Sequence, residues 1–179
     1  MLCILNSKIT WFFLKSICVV RSGGYIEVKP QYFEQIPIPE LKSVELFEQK
    51  ADEIIENTTK VQSVQSKFTN YLQSQFSIEK LTKKLKNWHE LAFGEFIKEL
   101  NKTIAKRNKA VATATTRGHV PLAKLSKLEE MEWMEVFETK KAAAQTLKAE
   151  IDKTDTEIDA MVYELYGLSE EEIKIVEQN

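Results

Sequence analysis

Lys80, Lys83, Lys84 and Lys86, then Trp88, then Lys102, Lys106, Arg107, Lys109 and Arg117 form a basic cluster with an aromatic side chain inside it. Closely spaced cations displace counterions from a phosphate backbone, which gives salt-sensitive and largely sequence-blind affinity. The same run also fits a solvated helix face, or a face paired with the acidic last third, so spacing alone leaves these readings open. Arg21, Tyr25, Lys29 and Gln31 surround the pair Gly23-Gly24. A glycine turn lets a base edge or phosphate approach closely, because glycine carries no side chain to keep it away. The candidates for contact with a nucleic-acid base or phosphate are therefore Arg21, Gly23, Gly24, Tyr25, Lys29, Gln31, Lys80, Lys83, Lys84, Lys86, Arg107, Lys109 and Arg117.

Other familiar chemistries lack a part. Glu27-Val28-Lys29 has the Glu-x-Lys form of a metal-dependent nuclease, but no Asp precedes Asp52 to complete a magnesium site. Glu138-x-Lys140 and Glu172-x-Lys174 fall on expected helices, where salt-bridged surface charge explains them. Gly23-Gly24 is neither a dinucleotide fingerprint nor followed by Lys-Ser/Thr. His89 and His119 stand 30 residues apart without ligand-spaced partners, and Cys3 and Cys18 are 15 apart in an apolar segment. The expectation is two buried free thiols, no catalytic residue, and no metal or cofactor in this chain.

The elements that must position the cations follow from glycine and proline. Five Gly and four Pro among 179 residues fall in clusters, and neither type occurs over the 45 residues 122–166. A β protein needs turn residues far more often, so the chain is mainly α. With 43% hydrophobic side chains it can bury a core. A 45-residue helix would run about 67 Å, so either it breaks or the molecule is elongated.

Residues 1–40 differ from the rest. A helix over 2–18 is expected to lead through the glycine turn into a short strand over 25–29, ended by Pro30, then a helical turn over 31–35 and an extended Ile-Pro-Ile-Pro exit. One strand cannot stand alone, so this small α/β piece belongs to something larger. Residues 41–179 form the helical region, with a long helix over 41–75, a basic helical segment over 77–111 broken near Gly94, a long helix over 127–166 and a short one over 169–177. A loop over 112–122 joins the second and third.

The first long helix carries a seven-residue repeat through Val44, Phe47, Ala51, Ile54, Thr58, Val61, Gln65, Phe68 and Leu72. The second carries Trp133, Phe137, Lys140, Ala144, Leu147, Ile151, Thr154, Ile158, Met161 and Leu165. Each narrow seam wants a helical partner, and the simplest is the other helix of the same chain, antiparallel and coiled-coil-like. A homodimer through the seams is the alternative. Polar Thr58, Gln65, Lys140 and Thr154 are placed to fix register. Ser126 with Glu129 and Ser169 with Glu172 fit capping boxes, and Gly167 fits a left-handed helix end.

The net charge of −2 hides an asymmetry. Residues 77–117 carry 10 Lys+Arg against 4 acids, and residues 118–179 carry 7 against 15. The apolar stretch 1–20 is cut by Asn6, Ser7, Lys8 and Lys15 and is too short to span a bilayer, so it reads as a buried amphipathic helix of a cytoplasmic protein with no membrane partner.

LCILNSKITWFFLKS (residues 2–16) and GGYIEVKPQYFEQIPIP (residues 23–39) resemble the closing part of the TaqI-like specificity domain of type IIG restriction-modification enzymes and related adenine-N6 DNA methyltransferases. EIDAMVYELYGLSEEEIKIVE (residues 157–177) is similar to the C-terminal signature of the same proteins. The resemblance implies the end of a target-recognition domain over 1–40 followed by a helical tail, with double-stranded DNA and the catalytic domains of the parent enzyme as partners. S-adenosylmethionine and magnesium belong, on this resemblance, to the parent's methyltransferase and endonuclease domains. No Asn-Pro pair occurs in the chain, so the methyltransferase motif has no counterpart here. The implied role is non-catalytic: a spacer and docking module that positions DNA recognition relative to the catalytic core. A coiled-coil dimerisation protein without a nucleic-acid role is the alternative, and a free-standing nuclease is disfavoured by the missing acids.

Overall fold

The computed structural model describes residues 1–40, 43–113 and 121–178. The described elements are α1 (Leu2–Asn6), α2 (Lys8–Ile17), β1 (Val19–Val20), β2 (Ile26–Glu27), α3 (Pro30–Phe33), α4 (Glu45–Phe76), α5 (Lys83–Lys86), a 3-10 turn (Trp88–Glu90), α6 (Phe93–Thr113), α7 (Lys127–Tyr166) and α8 (Glu170–Glu177). The protein is thus mainly α, built on a long antiparallel helix pair with a small α/β piece and a helical middle segment. Two compact units divide the chain: the first takes residues 1–56 and 150–179, the second residues 57–149. Helices α4 and α7 each contribute residues to both.

In the first unit the start of α4 lies against the end of α7. Lys50 Nζ meets Glu157 at 2.6 Å. Phe47, Ala51 and Ile54 pack with Ile158, Val162 and Leu165, and α1 adds buried Cys3 and Ile4 to that cluster. A second small cluster joins Leu14 and Cys18 to Ile36. Both thiols are buried and free, as the apolar setting led one to expect.

The expected single helix over 2–18 is two helices broken at Ser7, whose backbone is extended (φ −72°, ψ 156°). The Ser7 and Thr10 hydroxyls both donate to the Ile4 carbonyl at 2.7 Å. The amide at the start of α2, that of Lys8, donates to Asp159 Oδ1 of α7 at 2.9 Å. A carboxylate at a helix N-terminus satisfies an orphan N–H and complements the helix dipole. The strand also differs from expectation. Only Ile26 and Glu27 pair, with Val20 and Val19 in an antiparallel ladder, because the chain turns back at Gly23-Gly24 and Pro30 opens α3.

The ends of α7 and α8 follow their caps. Gly167 takes φ +69°, and the Leu168 amide reaches back to the Tyr163 carbonyl at 3.1 Å, which closes α7 with a Schellman pattern. Ser169 and Glu172 form the reciprocal capping box of α8.

The second unit is built around one aromatic core. Phe68, Leu72, Phe76, Ile78, Leu85, Trp88, Phe96, Ile97, Leu100, Ile104 and Phe137 are buried together, drawn from α4, the connection over 77–82, α5, the 3-10 turn, α6 and α7. Phe68 lies 4.0 Å from Trp88 between ring centroids, and Phe96 stacks on Phe137 at 4.8 Å. Phe76 meets Trp133 at 5.6 Å and Phe68 meets Phe137 at 6.4 Å, so here too α4 and α7 run antiparallel. Burying each such side chain is worth about 1.5–3 kcal/mol.

Helix α4 ends at Ser77, which takes a left-handed φ of 48° while the Ile78 amide donates to the Gln73 carbonyl. The break expected near Gly94 falls at Leu91–Ala92, between the 3-10 turn and α6, where Leu91 is extended. Gly94 itself is the second residue of α6, and the chain turns also at Ser77–Thr82 and at Asn87. Asn108 of α6 holds the segment before α7, accepting from the Leu122 amide at 3.0 Å and donating to its carbonyl at 2.7 Å.

The seam register departs from expectation at three points: Val44 is exposed, Asn57 is buried beside a half-buried Thr58, and the third lies at Lys140. Lys140 is exposed, and Lys141 instead turns inward, donating to the Leu91 carbonyl at 2.8 Å and lying over the Phe137 ring. Thr154 is 2% exposed, in the seam as expected. Gln65 hydrogen-bonds the His89 ring at 3.1 Å, so its partner comes from the middle segment.

Candidate nucleic-acid interface

Two separate groups of candidate residues emerge, one in each unit. In the first unit the β1–β2 connection is a tight turn: the Arg21 amide donates to the Tyr25 carbonyl at 2.7 Å and the Gly24 amide to the Arg21 carbonyl at 3.0 Å. Gly23 and Gly24 have φ of +94° and +82°, a region closed to most side chains. A Cβ on Gly23 would also come within 3.3 Å of the Tyr25 ring. Tyr25 is 76% exposed at the tip, and Gln31 is exposed on α3, where its carbonyl accepts from the Gln35 side chain.

The two hairpin cations share one carboxylate. Arg21 binds the Glu27 carboxylate through Nε at 2.7 Å and through its terminal nitrogen, and Lys29 stands 3.8 Å from the other Glu27 oxygen. Arg21, with Lys29 behind it, holds the Glu27 carboxyl below the usual glutamate range. The Glu-x-Lys string is thus an ion-pair cluster across the hairpin.

In the second unit, Lys80, Lys83, Lys84 and Lys86 are exposed around α5. Thr82 caps that helix by accepting from the Leu85 amide at 3.3 Å, and buried Leu85 anchors its inner face, which turns the lysines outward. Among the described residues, these four lysines and Lys106 of α6 make no ion pair. Lys102 does, with Glu99 at 3.7 Å.

Two adjoining open grooves bring some of these cations together. One, of about 480 Å³, runs along the end of α4 from Gln65 to Gln73 and takes in Lys80 and Lys86. The other, of about 910 Å³, lies between residues 77–82 and α6 and takes in Lys80, Lys106 and Arg107. Gln73, Glu79, Lys80 and Leu81 line both. Gln73 shapes the junction, its amide donating to the Ile78 and Glu79 carbonyls at 3.2 and 2.9 Å. Arg107 donates to Asn108 Oδ1 at 3.2 Å. Lys109 is exposed on α6, outside both grooves. Arg117 lies outside the described residues.

Sequence reasoning missed Lys106 as a groove residue and the buried network around Asp159. Asp159 is 3% exposed, and Lys8 Nζ lies 3.5 Å from both Asp159 and Glu177, tying α2, α7 and α8. Partial burial works against the Lys8 charge, but Asp159 and Glu177 raise its pKa overall. Beside it the Tyr163 hydroxyl is buried without a hydrogen-bond partner, and burial, with Asp159 and Glu177 adding to it, pushes its pKa up to about 12. No short-range pattern marks this network, because Lys8 and Asp159 are 151 residues apart.

Among the described residues no group of three His, Cys, Asp or Glu side chains could hold a metal ion. No helix among them is long and apolar enough to cross a membrane. The chain matches no curated protein and no solved structure. The model of one family, a domain of unknown function (DUF8810), matches residues 40–162, from before α4 to near the end of α7, and the chain belongs to that family.

Proposed function

We propose that the chain is a non-catalytic DNA-specificity and helical region of a restriction-modification enzyme, which positions DNA recognition relative to a methyltransferase or endonuclease core. The observation that carries this reading is the construction of the first unit. A small α/β piece sits on paired helix ends through Cys3 and Ile4, yet leaves Trp11, Val20, Tyr25 and Phe33 exposed. Its two strands have two residues each, too few to be a sheet of their own. Exposed apolar side chains beside an unfinished sheet are what a piece of a larger recognition domain presents. The antiparallel helix pair beneath it is a stiff support of the kind a spacer needs.

The test has two arms. The coding DNA upstream of Met1 should continue in frame into a methyltransferase motif, Asn-Pro-Pro-Tyr, and the purified chain should bind a labelled duplex at low salt. An isolated frame together with no duplex binding would sink the reading.

A dimerisation protein is the second reading. The seams face each other within the chain, so a dimer would use another surface, and exposed Leu128, Met131 and Met134 on α7 favour one. Sedimentation across a concentration range decides it: association abolished by Met131→Glu would favour the dimer.

A further inference from the structure

We infer that the double groove of the second unit is a binding site for the phosphodiester backbone of a nucleic-acid duplex, read without regard to sequence. The inference rests on the nucleic-acid reading above and locates its phosphate contacts on the helical middle segment, away from the hairpin.

Three features lead there. Lys86 lines the smaller groove, Lys106 and Arg107 the larger, and Lys80 both, so positive charge continues from one groove into the next. A single phosphate calls for convergent donors, whereas a polyanion calls for charges at intervals. Among the described residues these three lysines make no ion pair, and Glu79 is the one acid that lines either groove. Their charges are available to an outside partner without the loss of an internal one. The hairpin is the opposite case, since Arg21 and Lys29 would have to leave Glu27 to meet a phosphate.

The lining also restricts what is bound. Among the described residues no aromatic side chain lines either groove, since most rings of this unit lie in its core. Single-stranded nucleic acid is held by stacking bases on such rings, so the site suits a backbone presented by a duplex. No lining side chain is both charged and buried, which fits a salt-sensitive contact with no fixed register.

The test uses the full chain and a labelled random-sequence DNA duplex of about three turns, titrated at several salt concentrations. Lys80→Glu with Lys106→Glu should weaken binding at least tenfold at low salt. The slope of log affinity against log salt should become shallower by about 0.9 for each phosphate that the variant no longer neutralises. Both lysines are exposed, so circular dichroism should match the parent chain. Arg21→Ala with Lys29→Ala should change affinity less than threefold. An RNA duplex of equal length competing as well as DNA would support backbone contact and leave the natural source as either. Binding that survives the groove variant and is abolished in the hairpin variant would overturn the inference while leaving the nucleic-acid reading intact. No binding of any duplex by the parent chain would overturn both. Poly-glutamate displacing the duplex at equal charge concentration would overturn it in favour of an acidic protein segment.

Discussion

The two units use the same helix pair differently. In the second, α4 and α7 contribute to a single core of eleven buried apolar residues, five of them aromatic, closed over by α5 and α6. In the first, the opposite ends of those helices meet a short, irregular α/β piece through one cluster of four buried residues, supplemented by ion pairs and the Asp159 network, and that piece holds a separate cluster of three buried residues of its own. The cations follow the same division. Those of the first unit are largely paired, and those around α5 project unpaired beside open grooves. A unit with a sufficient apolar core can leave its surface charges for a partner. One with a thin core spends polar groups on holding its own elements in place.

Core truncation should separate the units most. Phe96→Ala is expected to cost about 3–5 kcal/mol in urea unfolding, against about 2 kcal/mol for Leu14→Ala in the smaller cluster. Equal losses would break the comparison. The next largest effect is expected from Asp159→Ala, which removes the acceptor at the start of α2 and costs about 0.5–2 kcal/mol, as loss of a helix cap does. Amide hydrogen exchange should rise over residues 8–17 and stay unchanged over residues 93–113.

Tyr163→Phe should do the reverse. It deletes a buried hydroxyl that has no partner while keeping the ring, and is expected to stabilise the protein by about 1 kcal/mol. A loss of stability would mean that the hydroxyl is satisfied in solution.

The smallest effect is a pH dependence at Asp155. Partial desolvation of its carboxyl, then the neighbouring Asp159 and Asp152, raise its pKa, with Lys8 opposing. A carboxyl with a raised folded pKa favours the protonated native state, so its contribution is lost as pH rises from the unfolded value through the folded one. Asp155→Asn should therefore raise the melting temperature slightly at pH 7, with the gain vanishing below about pH 4. A gain that persists in acid would assign the effect to something other than charge.

The helices were the most legible part of the chain. Ser126 with Glu129 and Gly167 mark the two ends of α7, and Ser169 with Glu172 marks α8, because caps are local chemistry read within four residues. The seams were legible as well, since alternating three and four spacings place Phe68, Leu72, Phe137 and Ile158 on buried faces. Lys140 was misplaced because a lysine stem beside its twin gives no sign of which will turn inward; the Leu91 carbonyl decides for Lys141. The break at Ser7 was illegible for the same kind of reason, since its compensating acceptor comes from α7.

The candidate site divides likewise. The lysines around α5 were visible as a charge run, but their outward placement depends on Leu85 entering the aromatic core. That Arg21 and Lys29 share Glu27 depends on a two-residue ladder, which brings Glu27 opposite Val19.

By itself, the sequence determined helix content, the ends of α7 and α8, the apolar seams of two long amphipathic helices and the sign of charge along the chain, all set by neighbours a few residues apart. Only the tertiary structure decided which cations are spent internally and which line a groove, where α1 gives way to α2, and which polar seam residues have partners. Each of those outcomes depends on a donor or acceptor supplied by an element distant in the chain, and no local pattern encodes that supply.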